Sequence, residues 1–160
     1  MSSVDRSTRL FFDASCLIAA AASPSGGSGF LWSLVERQEL RAVVSQAVLT
    51  EAETNLARKF PPAALERHLA QIAAGAPEMT AIPRLDVSPR RYPMVNAKDE
   101  HVVAAALAAG APFILTLDRP LQAEINEAHL GVLAASPGEF IAVRLPAHPS
   151  FASLRGPEDS

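Results

Sequence analysis

One stretch constrains this chain more than any other: residues 96–118, NAKDEHVVAAALAAGAPFILTLD. Apolar or small residues at Val102, Val103, Ala106, Leu107 and Ala109 keep close to a 3.6-residue period, which predicts a helix. Asn96 suits its N-cap, and Asp99 stands three residues on, at the capping-box position. Gly110 closes the helix and Pro112 forbids its return. Phe113-Ile114-Leu115 is a short apolar run of buried-strand type that ends in Thr116-Leu117-Asp118. One acid therefore opens a helix, and the next closes the strand after it. In open α/β sheets the carboxyl ends of the strands face the ligand crevice, so this stretch predicts half of an acidic site.

The rest of the chain repeats the alternation. Residues 9–13, RLFFD, form a compact apolar strand ending in an acid, and residues 14–22 are alanine-rich and helix-prone. SPSGGS at 23–28 predicts a flexible loop, and 29–39 a helix with Phe30, Leu31, Leu34 and Val35 on one face. Ala42-Val43-Val44 predicts a strand. Ser45 can cap a helix to about Lys59, with Val48, Leu49, Ala52 and Leu56 as its core stripe. Another helix follows the Pro61-Pro62 break, over 63–74, then a strand over 79–82 and a proline- and arginine-containing loop over 82–94. Beyond Asp118 come a helix over 121–128, a strand over 131–135 and a last helix opened by Ser136-Pro137-Gly138-Glu139. The expectation is one α/β domain over 1–145 with a mainly parallel sheet, and a loose Pro-, Ser- and Gly-rich tail over 146–160.

The single cysteine, Cys16, excludes a disulfide framework and suits a reducing cytosol. No apolar run approaches the ~20 residues of a membrane span. The opening MSSVDRSTRLFFD lacks the apolar segment of a signal peptide, so a cytoplasmic protein is expected. With 14 basic and 17 acidic residues, composition announces no broad basic nucleic-acid face.

Four acids stand out: Asp13 and Asp118 at strand ends, Asp99 at a helix start, and Glu51 about two turns into the helix after the second strand. Each has a local reading. The three aspartates are candidate helix caps, Glu51 is a candidate solvated position, and Glu53 competes with it. Four carboxylates in one pocket would repel and raise one another's pKa. A hard divalent cation, Mg²⁺ or Mn²⁺, relieves that repulsion, and such a centre can activate water against a phosphodiester.

These segments, in this order and at these intervals, resemble the PIN-domain family, which includes VapC-like toxin ribonucleases. The resemblance runs from Arg9 to Val143. It is carried by FFDASCLIAA with Asp13 and Ser15, SQAVLTEAETNLARKF with Glu51, KDEHVVAAALAAG with Asp99, ILTLDRPL with Thr116 and Asp118, and the closing VLAASPGEFI. It implies a three-layer α/β/α sandwich around a parallel sheet. It further implies an endoribonuclease site in which Asp13, Glu51, Asp99 and Asp118 bind Mg²⁺ or Mn²⁺, with the Ser15 and Thr116 hydroxyls nearby. A toxin of this family would have a cognate antitoxin crossing the acidic groove and inserting an arginine there, and homodimers are common. Leu117 departs from the pattern, since many relatives carry Asn at that place. The second reading is a non-catalytic PIN-like scaffold that binds RNA or protein.

Arg90, Arg91, Lys98 and Arg119 flank the acids and are candidates to hold RNA phosphates. Trp32, on the 29–39 helix, is a candidate oligomer contact. Tyr92 is a candidate base-stacking residue, with anchoring of its loop as the alternative. Cys16 has no histidine partner in view and is expected to be a buried structural thiol, while His101 is expected to be structural or exposed.

Overall fold

A computed structural model describes residues 3–81 and 90–154. Among these residues the sheet has five strands, all parallel, in the order β3-β2-β1-β4-β5. The strands are β1 (Arg9–Phe12), β2 (Arg41–Val44), β3 (Glu78–Met79), β4 (Phe113–Leu115) and β5 (Leu133–Ala135). Leu10, Phe11, Phe12, Val43, Val44 and all of β4 are fully buried, as expected for strands covered on both faces. Helices α1 (Ala14–Ala22), α2 (Gly27–Glu36), α3 (Gln46–Lys59) and α4 (Pro62–Gly75) pack on one another as one layer. Helix α5 (Glu100–Ala108) packs on β4, and α6 (Arg119–Ala128) on β5. Right-handed crossovers place these two groups on opposite faces of the sheet, giving the three-layer sandwich.

Most of the expected elements form where their caps and breakers direct. Ser45 accepts from the Val48 amide at 3.3 Å to start α3, and Ser136 accepts from Glu139 at 3.1 Å to start α7 (Pro137–Glu139), which runs on into a π-helical turn, Phe140–Arg144. Helix α2 starts at Gly27, inside the stretch expected to be a loop. It can do so because Gly29 has no side chain: a Cβ there would lie 2.1 Å from the Pro24 carbonyl oxygen. The expected third strand is shorter, Glu78–Met79, and residues 82–89 of the expected loop lie outside the described residues.

Two expectations are corrected. The tail expected to be loose packs on the domain as far as Leu154, which is buried. His148, 3 % exposed, bonds the Glu39 carbonyl at 2.8 Å through Nε2 and accepts from the Ser150 amide at 3.0 Å through Nδ1. Residues 155–160 lie outside the described residues. Trp32 is no surface for a second copy. It is 1 % exposed, meets Phe12 edge-on with ring centroids 5.0 Å apart, and donates to the Gln71 carbonyl of α4 at 2.8 Å. Its amphipathic helix is covered by α4, which a one-helix reading of the sequence cannot reveal.

Candidate functional site

The strand order reverses between β1 and β4: the chain leaves β1 toward β2 and β3 on one side, and β4 toward β5 on the other. A crevice opens at such a switch point, at the carboxyl ends of the strands. Phe12 pairs with Leu115 there. One residue beyond that pair, Asp13 donates its amide to the Leu115 carbonyl at 3.0 Å. The register thus sets Asp13 beside Thr116, whose hydroxyl donates to Asp13 Oδ2 at 2.7 Å. The other oxygen, Oδ1, accepts from the Ala14 amide at 2.8 Å, so the local cap reading of Asp13 holds alongside the functional one.

Thr116 is the hub. It is fully buried, and its Oγ1 also accepts from the Asp118 amide at 3.2 Å and lies 3.4 Å from the Ser15 hydroxyl. Ser15 Oγ accepts from the Leu117 amide at 3.0 Å, which fixes the backbone between Thr116 and Asp118. Asp118, half-buried, caps α6 by accepting from the Leu121 amide at 3.1 Å. Leu117 is exposed while Thr116 is buried, as strand alternation requires, and its departure from the family pattern leaves this network intact.

Asp99 ends a 3₁₀ turn, Ala97–Asp99, and precedes α5. The expected capping box does not form: Asp99 makes no cap hydrogen bond, and the Asn96 amide is taken by Glu124 of α6 at 3.2 Å. Partial burial raises the Asp99 pKa, Lys98 opposes the shift, and the charges of Asp118 and Asp13 raise it further. Those two carboxylates therefore act on the third through space. Its neighbour Glu100 has the opposite role. It is buried, and a 2.6 Å bond from Arg90 Nε is the main cause holding its pKa below the usual carboxylate range.

Glu51 is exposed on α3 and is not among the groups acting on Asp99. Glu53, two residues on, faces toward His68 of α4, whose pKa burial lowers and the Glu53 charge partly restores. Among the described residues, no three His, Cys, Asp or Glu side chains lie close enough together to share one metal ion. The donor chemistry nevertheless suits a hard divalent cation: carboxylate and hydroxyl oxygens gather at the switch point, and Asp99 makes no cap hydrogen bond that would occupy its carboxylate. The nearby thiol is unsuited to the role, because burial and the Asp13 charge push Cys16 up to about 12.

The basic candidates separate. Arg90 is withdrawn from the phosphate-binding set: its guanidinium bonds Glu100, the Tyr92 carbonyl at 3.4 Å and the Val95 carbonyl, pinning the approach to α5. Tyr92, half-buried against the core, is the loop anchor. Arg91, Lys98 and Arg119 form no ion pair among the described residues and lie toward the surface. Two positioning residues were missed from sequence. Gln122 holds the Thr116 carbonyl at 2.8 Å, and Glu124 holds the turn leading to Asp99. The available signal for Gln122 was a glutamine flanking the apolar stripe of α6, four residues after Asp118.

A PIN-domain family model matches residues 9–120, a span that includes all four acids. Among solved structures, the chain is similar to VapBC2 from Rickettsia felis, bound to a DNA fragment from their promoter. The TM-score is 0.50 at 10 % identity, covering 81 % of this chain and 98 % of that one, and the likeness is one of fold alone. Comparison with curated proteins finds no match. In the described residues no helix is long and apolar enough to cross a membrane.

Proposed function

The chain belongs to the PIN-domain family, and from that premise we propose that it is a metal-dependent endoribonuclease of the cytoplasm, acting as the toxin of a toxin–antitoxin pair. The observation carrying the proposal is the joining of Asp13 to the Asp118 backbone through Thr116 at the switch point of the sheet. In this reading Asp13, Asp99 and Asp118, with Glu51 from α3, would hold Mg²⁺ or Mn²⁺ by closing in on the ion from the positions described above. The bound ion supplies charge neutralisation at the phosphodiester and acidifies a water. The Thr116 hydroxyl fixes the Asp13 carboxylate, and Ser15 fixes the backbone leading into Asp118. Arg91, Lys98 and Arg119 hold the RNA backbone. The protein partner is an antitoxin lying across the acidic groove with an arginine beside the carboxylates, and any homodimer uses a face other than Trp32.

The test replaces Asp13 or Asp118 with Asn and follows Mg²⁺- or Mn²⁺-dependent RNA cleavage. Loss of turnover with retained folding is expected, and undiminished turnover refutes the assignment. Glu51→Gln tests separately whether α3 contributes.

A further inference from the structure

At the other end of the sheet lies a half-open cleft of about 490 Å³, lined by Arg6, Arg9, Gln38, Arg41, Ala76 and Glu78 among others. Arg9 opens β1 and Arg41 opens β2, and the two are register partners on adjacent parallel strands. Paired residues of neighbouring strands share a face about 4.8 Å apart. Like charges so placed repel unless an anion lies between them. Glu78 of β3 answers only part of this, bonding Arg9 Nε at 2.7 Å. Arg6 is matched by Glu39 at 3.1 Å. Arg41 is exposed and forms no ion pair among the described residues.

We infer that this cleft binds a phosphate-bearing small anion between the Arg9 and Arg41 guanidiniums. Both side chains line the cleft, and a guanidinium offers forked N–H donors that match tetrahedral oxygens, which a lysine would not. Arg9 stands four strand residues from Asp13, or about 13 Å along β1, so the bound anion is not the scissile phosphate. Glu78 pairs with one of the two cations and acts as an internal competitor. The competing account makes the arginines mere counter-charges to the carbonyl ends of α2 and α4, which finish near this cleft. That account predicts a stability effect and no ligand.

The experiment is calorimetric titration of the full chain, without divalent metal, using inorganic phosphate and a nucleoside 5′-monophosphate in separate arms. Saturable binding is expected in at least one arm. Equal affinities in both arms assign the cleft to phosphate itself, and a tighter nucleotide assigns it to nucleotides. Arg41→Gln should weaken binding roughly tenfold or more. Glu78→Gln should strengthen it by removing the competing carboxylate. A parallel melting curve verifies that each variant folds. Absence of saturable heat at millimolar ligand, or binding unchanged by Arg41→Gln, overturns the inference. Neither result bears on the nuclease assignment, whose residues lie at the opposite, carboxyl end of the strands.

Discussion

Replacing Thr116 by Val and by Ser separates its hydroxyl from its methyl. The hydroxyl–carboxylate bond to Asp13 is 2.7 Å long and buried at both ends. A charge-assisted bond of this kind contributes about 1.5–3 kcal/mol. Valine keeps the shape but cannot donate, and it leaves the Asp118 amide without its 3.2 Å acceptor. Together these losses should amount to about 2–4.5 kcal/mol. Serine keeps both bonds and loses one buried methyl, about 1 kcal/mol. At about 2–4 °C per kcal/mol for a chain of this size, Tm should fall by about 4–18 °C for Thr116→Val and about 2–4 °C for Thr116→Ser. Urea titration gives the same order if the slope of the transition is unchanged. Cleavage of RNA with Mn²⁺ should survive in the serine variant. It should slow roughly tenfold or more in the valine variant, since about 1.4 kcal/mol of lost positioning is a factor of ten. A valine variant more stable than the serine variant would mean that methyl packing, not the hydroxyl, is what Thr116 supplies, and the hub assignment would fail.

The Cys16 thiol is raised from 9.0 to about 12, chiefly by burial. Between those values the unfolded chain releases a proton that the native chain keeps, so stability should fall as pH rises above 9, by at most about 1.4 kcal/mol per unit. Cys16→Ser should lack that part of the slope, and identical slopes for the two proteins would contradict the buried neutral thiol. Gly75→Ala would put a Cβ 2.6 Å from Trp32 Cζ2, and overpacking should cost about 1–3 kcal/mol with a change in tryptophan emission. An unchanged melt and spectrum would show that the ring has room to move. Lys98→Gln or Arg119→Gln should lower the salt slope of RNA binding by roughly 0.7 for each phosphate no longer neutralised. Arg90→Gln should instead leave that slope alone and lower Tm, because its partner is Glu100. The reverse pattern would return Arg90 to the binding surface.

Local chemistry made much of this fold legible. Ser45, Ser136 and Asp118 cap the helices they precede, and Gly110 takes a positive φ of 67° past the end of α5. That Asp13 and Asp118 stand at strand ends followed from two apolar runs each closing in an acid, whereas a Thr116 hydroxyl near them was implied only by the family resemblance. What stayed hidden depends on a partner remote in sequence. Asp99 was singled out by its place three residues after Asn96 and by the family resemblance, but its neighbour Glu100 carried no signal of its own. Only the fold shows Glu100 turned to a guanidinium while Asp99 makes no cap hydrogen bond. The same is true of Arg90, whose neighbourhood reads as a basic flank until Glu100 and Val95 close on it. Trp32 and the tail through Leu154 were misjudged for a related reason: what covers them, or what they cover, is on another element.

Helix α6 emerges as the element that ties the two halves of the acidic site together. Asp118 is its N-cap, Gln122 in its first turns holds the Thr116 carbonyl, and Glu124 holds the amide of Asn96 at the turn that presents Asp99. Leu121 and Ile125, both buried, seat the helix on the core. A shift of α6 would therefore disturb Thr116, Asp118 and Asp99 together, whereas Asp13 is fixed independently by its bonds to Leu115 and Ala14. The carboxylates at the switch point thus stand on two neighbouring strand–helix units, β1–α1 and β4–α6, joined by the β1–β4 ladder, the Ser15–Leu117 bond and the Thr116 hydroxyl. The seating of α6 on the core sets the spacing of Asp118 and Asp99 from Asp13, so substitutions at Leu121 or Ile125 should weaken Mn²⁺ affinity without touching a single ligand. Titrating Mn²⁺ into Ile125→Val and into the parent chain checks this, and equal affinities would show that α6 does not set the spacing.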